Sequence, residues 1–173
     1  MVHEQVLVSP KTVADNALGL IMNYVQLHLK SQVQAKHHFH WTAPLPGLLK
    51  LNVDGAMFGE LCKSGVGCIL RDDKGKVLMA ALKAESEVEE PEAVELIVVL
   101  RGLQLCVSMG ISRIQVESDC LLVVEALEHN NMAGSLLGLL YQDIKSISSC
   151  FVECSFVYVP REGNRAAHGL AIC

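Results

Sequence analysis

The sequence predicts a mixed α/β fold, a five-stranded sheet with helices over it in the order β-β-β-α-β-α-α-β-α. Three observations carry that reading. Strand-like runs of alternating or continuous apolar residues recur along the chain after Gly47; helical spacing fills the intervals between the later ones; and glycines, prolines and acids stand at the boundaries. At 173 residues the chain is one domain plus an extension, long enough to bury a core without disulfide staples.

The extension comes first. From Ser9, SPKTVADNALGLIMNYVQLHLKSQVQ begins with a serine cap and Pro10, and Val13, Ala17, Leu20, Ile21, Tyr24 and Val25 recur at helical spacing, which predicts an amphipathic helix. The connector AKHHFHWTAPLPGLLK follows, punctuated by Pro44, Pro46 and Gly47. Residues 1–45 are therefore expected to be a helix and linker, a tether or a partner-binding element, and residues 46–173 the folded domain. His37, His38 and His40 have no thiol or acidic partners nearby, so a solvated linker is favoured over a metal site.

The domain's elements follow in order. KLNVDG alternates, with Leu51 and Val53 on one face and Asn52 and Asp54 on the other. SGVGCILRDDKGKVLMAALKAE reads as two strands around the turn DDKGK, so the first three strands form an antiparallel meander. EEPEAVELIVVLRGLQLCVSMG has acids and Pro91 at its start and Gly110 at its end, the marks of a helix. SRIQVESD is a buried-type strand, and CLLVVEALEHN a helix that Ser118 or Asp119 could cap. GSLLGLLYQDIKSISSC is a third helix, FVECSFVYVPRE the last strand, and GNRAAHGLAIC the opening turns of a final helix.

Composition removes several classes of function. The longest apolar run, AVELIVVL, is interrupted by Glu95 and too short to span a bilayer, and no secretory signal is evident at the N-terminus, so an intracellular protein in nucleus or cytoplasm is expected. Seven cysteines without a C-x-x-C pair read as reduced thiols, not as a zinc site. A net charge of −5 does not advertise a broad phosphate-binding surface, so any nucleic-acid chemistry must rest on a local site.

Three acids suggest such a site. Glu95 shares a helix face with Val99 and Gly102, Asp119 closes a strand at its C-terminal end, and Asp54 closes the first strand where the chain is about to turn. Singly, each has an ordinary alternative: Asp54-Gly55 as a turn dipeptide, Asp119 as an N-cap, Glu95 as an acid favoured by the helix dipole. Together they can converge, and converging carboxylates repel unless a cation lies among them. Hard oxygen ligands suit Mg²⁺ or Mn²⁺.

These residues also carry a family likeness. From Trp41 to the end the chain resembles the plant-type ribonuclease H-like domain of reverse-transcriptase-related and retroelement proteins. The likeness lies in WTAPLPGLLKLNVDGA, GVGCILRDDKGKVL, VELIVVLRGLQLCVSMGI, IQVESDCLLVVEAL and VPREGNRAAHGLA, in that order. The resemblance implies a ribonuclease H-like fold and metal-dependent hydrolysis of the RNA strand of RNA/DNA hybrids, with two divalent ions. Asp54, Glu95 and Asp119 would be both metal ligands and catalytic residues. Gly55, Ala56, Gly65, Gly67 and Asn164 would lie against the substrate. Active members carry a fourth carboxylate four residues after the asparagine, where this chain has His168. That histidine could be a weaker metal ligand, a proton shuttle, or a packing residue beside an Asn164 cap. The alternative to an enzyme is a weak or inactive module that binds nucleic acid or a protein. Lys63, Arg71, Arg113, Arg161 and Arg165 are the scattered cations available to a hybrid backbone, and weak substrate affinity is expected.

Overall fold

The structure is a computed structural model, and it describes residues 41–59, 63–86, 88, 90–129 and 137–173. The compact unit carrying these elements spans Phe39–Cys173. The helix expected from Ser9 onward lies outside the described residues.

Five strands form one mixed sheet: β1 (Leu49–Phe58), β2 (Lys63–Arg71), β3 (Val77–Ser86), β4 (Arg113–Ser118) and β5 (Glu153–Tyr158), in the spatial order β3-β2-β1-β4-β5. Among the described residues the helices are α1 (Pro91–Ser108), α2 (Leu121–His129), α3 (Gly138–Ser148) and α4 (Arg165–Ala171). This is the predicted order of elements. Strands β1 to β3 are antiparallel, whereas β1, β4 and β5 run parallel.

Local chemistry explains the connections. Between β2 and β3, Asp72 Oδ1 accepts the backbone N–H groups of Lys74 and Lys76 at 2.9 and 2.8 Å, and Gly75 adopts a φ of 78° that favours glycine. Helix α1 begins with Pro91 and carries Glu92 in its first turn. It ends at Gly110, whose φ is 71°, where the Ile111 N–H closes back onto the Cys106 carbonyl.

The alternation along β1 sends side chains to two buried faces. Leu51 and Val53 join Val66, Cys68 and Leu70 of β2 and residues of α1, α2 and α3, including Leu103, Leu127 and Ile144, in the apolar core. Lys50, Asn52 and Asp54 face the other way and are also buried. On that side α4 lies against β1 and β2 through the small residues Ala167 and Ala171. Among the described residues no helix is long and apolar enough to cross a membrane.

Two expectations are corrected here. Asp54 does not end its strand: β1 continues to Phe58, paired antiparallel with β2 throughout, so Asp54-Gly55 is not a turn. What ends near Asp54 is the parallel pairing with β4, whose last partners are Asn52 and Glu117. The second correction concerns Gly65 and Gly67, expected to admit a substrate backbone. A Cβ on Gly65 would lie 2.1 Å from the Ala171 carbonyl oxygen, and one on Gly67 would lie 2.6 Å from that of Ala167. Both glycines are buried under α4, and the backbone they admit is that helix.

Candidate active site

The site forms where β1 and β4 part. Asp54 lies two residues beyond Asn52 on β1, and Asp119 two residues beyond Glu117 on β4, so the parallel register sets them at the same level. Glu95 arrives from α1. A Cβ on Gly55 would meet Val94 Cγ1 at 2.7 Å and the Glu95 backbone nitrogen at 3.3 Å, so the absence of a side chain at Gly55 lets the helix come this close. One oxygen from each of Asp54, Glu95 and Asp119 lies within 4.8 Å of the others.

The electrostatics of this cluster are strained. Burial pushes the Glu95 carboxyl up to about 8, Asp54 and Asp119 push it the same way, and a hydrogen bond from the Gly55 backbone opposes them. Glu95 Oε2 is buried without a hydrogen-bond partner, which an uncompensated carboxylate tolerates poorly. Burial also raises Asp54 to about 6; the hydrogen bond with His168 lowers it, and neighbouring Asp119 raises it. Three converging carboxylates, one of which also has a buried oxygen without a partner, fit a hard divalent cation.

Three groups from the chain's end complete the surroundings. His168 Nδ1 lies within hydrogen-bond distance of Asp54 Oδ2, at 2.9 Å. Arg161 Nη2 lies 3.1 Å from the same ring nitrogen and 3.0 Å from the other, Nε2. Arg161 Nη1 is 3.8 Å from Asp119 Oδ2. Asn164 Nδ2 donates to the Val53 carbonyl at 2.8 Å and to Asp119 Oδ1 at 3.1 Å.

The structure thus brings Asp54, Glu95, Asp119 and His168 together and corrects the rest of the site in part. Asn164 was expected to meet substrate, but it is 0% exposed, with its amide committed to the interior. It stands at the N-cap position of α4 without a side-chain cap hydrogen bond, so the capping alternative fails as well. Nor does His168 only pack on a surface helix. Gly55 and Ala56 remain half-buried beside Asp54. Sequence reasoning placed Arg161 among scattered phosphate contacts and missed its position against the carboxylates. It also missed Lys50, Asn52 and Glu117, although Lys50 and Asn52 share the strand face of Asp54 and Glu117 precedes Asp119 by two residues.

A family model described as reverse transcriptase-like matches residues 52–172, which contain the three acids and both strand ends. The chain belongs to the reverse transcriptase-like family. Solved structures share its ribonuclease H-like fold. RNase H1 from the halophilic archaeon Halobacterium salinarum aligns with a TM-score of 0.67 at 20% identity, over 72% of this chain and 95% of that one. The N-terminal RNase H domain of a Mycobacterium tuberculosis protein, solved as a fusion with maltose-binding protein, gives 0.66 at 24%, covering 72% and 91%. LC11-RNase H1 in complex with an RNA/DNA hybrid gives 0.65 at 22%, covering 72% and 94%. No curated protein matches the chain. A reverse transcriptase-like domain with an acidic cluster at its parallel strand ends is suited to nuclease chemistry.

Proposed function

We propose that the protein is a metal-dependent endoribonuclease that hydrolyses the RNA strand of RNA/DNA hybrids by a two-metal mechanism. The observation that carries this reading is the convergence of Asp54, Glu95 and Asp119, one oxygen from each lying within 4.8 Å of the others. The solved LC11 relative holds an RNA/DNA hybrid, which supports the substrate class.

Asp54, Glu95 and Asp119 would hold the ions. The chemistry supplied by bound divalent ions at such a site is activation of a water for attack on phosphorus and neutralisation of charge on the leaving oxygen. The chain's own residues prepare that site. Asn164 holds Asp119 through Oδ1. Gly55 gives α1 its close approach and donates to Glu95. His168, 2.9 Å from Asp54 Oδ2, would hold that carboxylate or carry a proton to or from the reacting groups. The guanidinium of Arg161, partly exposed above Asp119, offers positive charge to a phosphate. Contacts to 2′-hydroxyls would distinguish RNA from DNA. The segment before Trp41 would serve as a tether or partner-binding element; Trp41 and Thr42, expected in the linker, instead bond to Asn52 and Lys50 of the domain.

One observation favours a second reading, an inactive or weak binding module: His168 occupies an oxygen of Asp54 that a metal ligand needs. A hybrid-cleavage assay in Mg²⁺ and in Mn²⁺ separates the two. The enzyme reading predicts cleavage of the RNA strand that falls by roughly a hundredfold or more in Asp54→Asn, the scale seen when one group stabilising transition-state charge is removed. Equal residual cleavage by wild type and Asp54→Asn in both metals would overturn it in favour of the binding module.

A further inference from the structure

A line of buried polar side chains leads from the start of β1 to the carboxylate cluster. Lys50 Nζ lies 2.6 Å from Glu117 Oε1 and donates to the Thr42 carbonyl at 2.7 Å. Glu117 Oε2 accepts from Asn52 Nδ2 at 2.8 Å, and the same nitrogen donates to Asn164 Oδ1 at 3.2 Å. Asn164 then donates to Asp119. Lys50, Asn52, Glu117 and Asn164 are 3%, 1%, 6% and 0% exposed. We propose that Lys50, Glu117, Asn52 and Asn164 form a positioning relay that fixes the orientation of Asp119.

Donor and acceptor polarity fixes the direction of every bond in this line. An ammonium can only donate and an ionised carboxylate can only accept, so the Lys50–Glu117 pair presents a pure acceptor to Asn52. The other end of the Asn52 amide is fixed independently: Oδ1 receives the Trp41 indole N–H at 3.0 Å and Arg71 Nη1 at 3.3 Å, both donors only. Asn52 therefore has one possible orientation, with its NH₂ toward Glu117 and Asn164. Asn164 must in turn offer its oxygen to Asn52, which leaves its own NH₂ for the Val53 carbonyl and Asp119. Flipping Asn164 would set oxygen against oxygen at both of those contacts and NH₂ against NH₂ at Asn52. The relay thus guarantees that Asp119 Oδ1 faces a donor, and Oδ2 is left on the side of Arg161.

Stability alone is a poor reason for such a line. Burying an ion pair loses to desolvation much of what the pairing gains, and apolar replacements of similar shape often stabilise. Outer groups that orient a ligand, by contrast, characteristically change metal affinity when they are altered.

The inference rests on the reading of the carboxylates as a divalent-metal site, and the test keeps the two apart. Mn²⁺ affinity is measured by titration on the full chain for wild type, Asn52→Leu and Glu117→Gln, each also combined with Asp119→Asn. Melting temperatures without metal check that every variant folds. The relay predicts Mn²⁺ binding weakened on the order of tenfold in Asn52→Leu and Glu117→Gln, and no further weakening when Asp119→Asn is already present. Folded variants with wild-type Mn²⁺ affinity, or an equal loss in the Asp119→Asn background, would overturn it. Should Asn52→Leu fail to fold, Glu117→Gln and Trp41→Phe, which touch the relay but not Asp119, decide by the same criterion. A wild type that takes up no Mn²⁺ would overturn the metal reading, and the relay with it.

Discussion

Glu95 holds one bond from the Gly55 backbone and one carboxylate oxygen without a partner, and its pKa is raised to about 8, first by burial and then by its acidic neighbours. Asp54, raised to about 6 chiefly by burial, behaves in the same direction. The sign follows from linkage. Each folded-state carboxyl binds its proton more tightly than the unfolded chain does, where the values are 4.5 for Glu95 and 3.8 for Asp54. Their contribution to stability is complete below those values and is lost as pH rises through about 6 for Asp54 and about 8 for Glu95. The metal-free protein is therefore expected to melt at progressively lower temperature from acidic to mildly alkaline pH, and Mg²⁺ to flatten that slope. Thermal melts in chelator and in Mg²⁺ across the range check this; a slope that Mg²⁺ leaves unchanged would count against metal binding at these acids. By the same reasoning Glu95→Gln stabilises the metal-free protein at alkaline pH by about 1–3 kcal/mol while abolishing cleavage, a trade of stability for function. Denaturant unfolding at pH 8 measures it, and a destabilised Glu95→Gln would contradict the account.

At the scale of elements, the seating of α4 on β2 governs the site, because Asn164 and His168 both ride on that helix or its start. Gly67 admits it: a Cβ there would lie 2.5 Å from the Ala171 nitrogen and 2.6 Å from the Ala167 carbonyl oxygen, backbone atoms that cannot rotate away. Gly67→Ala is expected to destabilise by about 1–3 kcal/mol through overpacking and to lower Mn²⁺ affinity with it, measured by denaturant melts and metal titration. Unchanged stability would mean the helix can lift off the sheet freely. The meander, the helices and the last strand were legible because alternation, helical spacing and the Asp72–Gly75 and Gly110 stops all act locally. The reach of β1 was not. Asp-Gly is a turn dipeptide by local chemistry, but pairing with β2 out to Phe58 holds it extended, a tertiary effect that no window of sequence contains. The glycines misled for a related reason: Gly65 and Gly67 announce a close backbone approach, and nothing in their spacing says whether the visitor is a substrate or the chain's own helix.

For the molecule as a whole, charge works against tight binding of nucleic acid. The net charge is −5, and three of the five candidate cations already have partners within the chain: Arg113 pairs with Glu153 at 2.7 Å, Arg71 stacks on Trp41 and donates to Asn52, and Arg161 lies 3.8 Å from Asp119 Oδ2. Hybrid binding is expected to be weak, with a salt dependence corresponding to only about 2–4 phosphate contacts. A steep salt slope would instead point to cations outside the described residues. The three acids were legible because each stood at a meaningful place on its element, even though Asp54 proved to end a pairing instead of a strand. Lys50, Asn52 and Glu117 were not, because a buried polar relay depends on partners from four separate segments, joined only when β1, β4 and α4 meet. Asp54, Glu95 and Asp119 are proposed to act as one ligand set. The most direct measurement is anomalous diffraction from crystals grown with Mn²⁺. A peak in contact with all three carboxylates is expected; a peak elsewhere, or none at saturating Mn²⁺, would show that they do not share an ion.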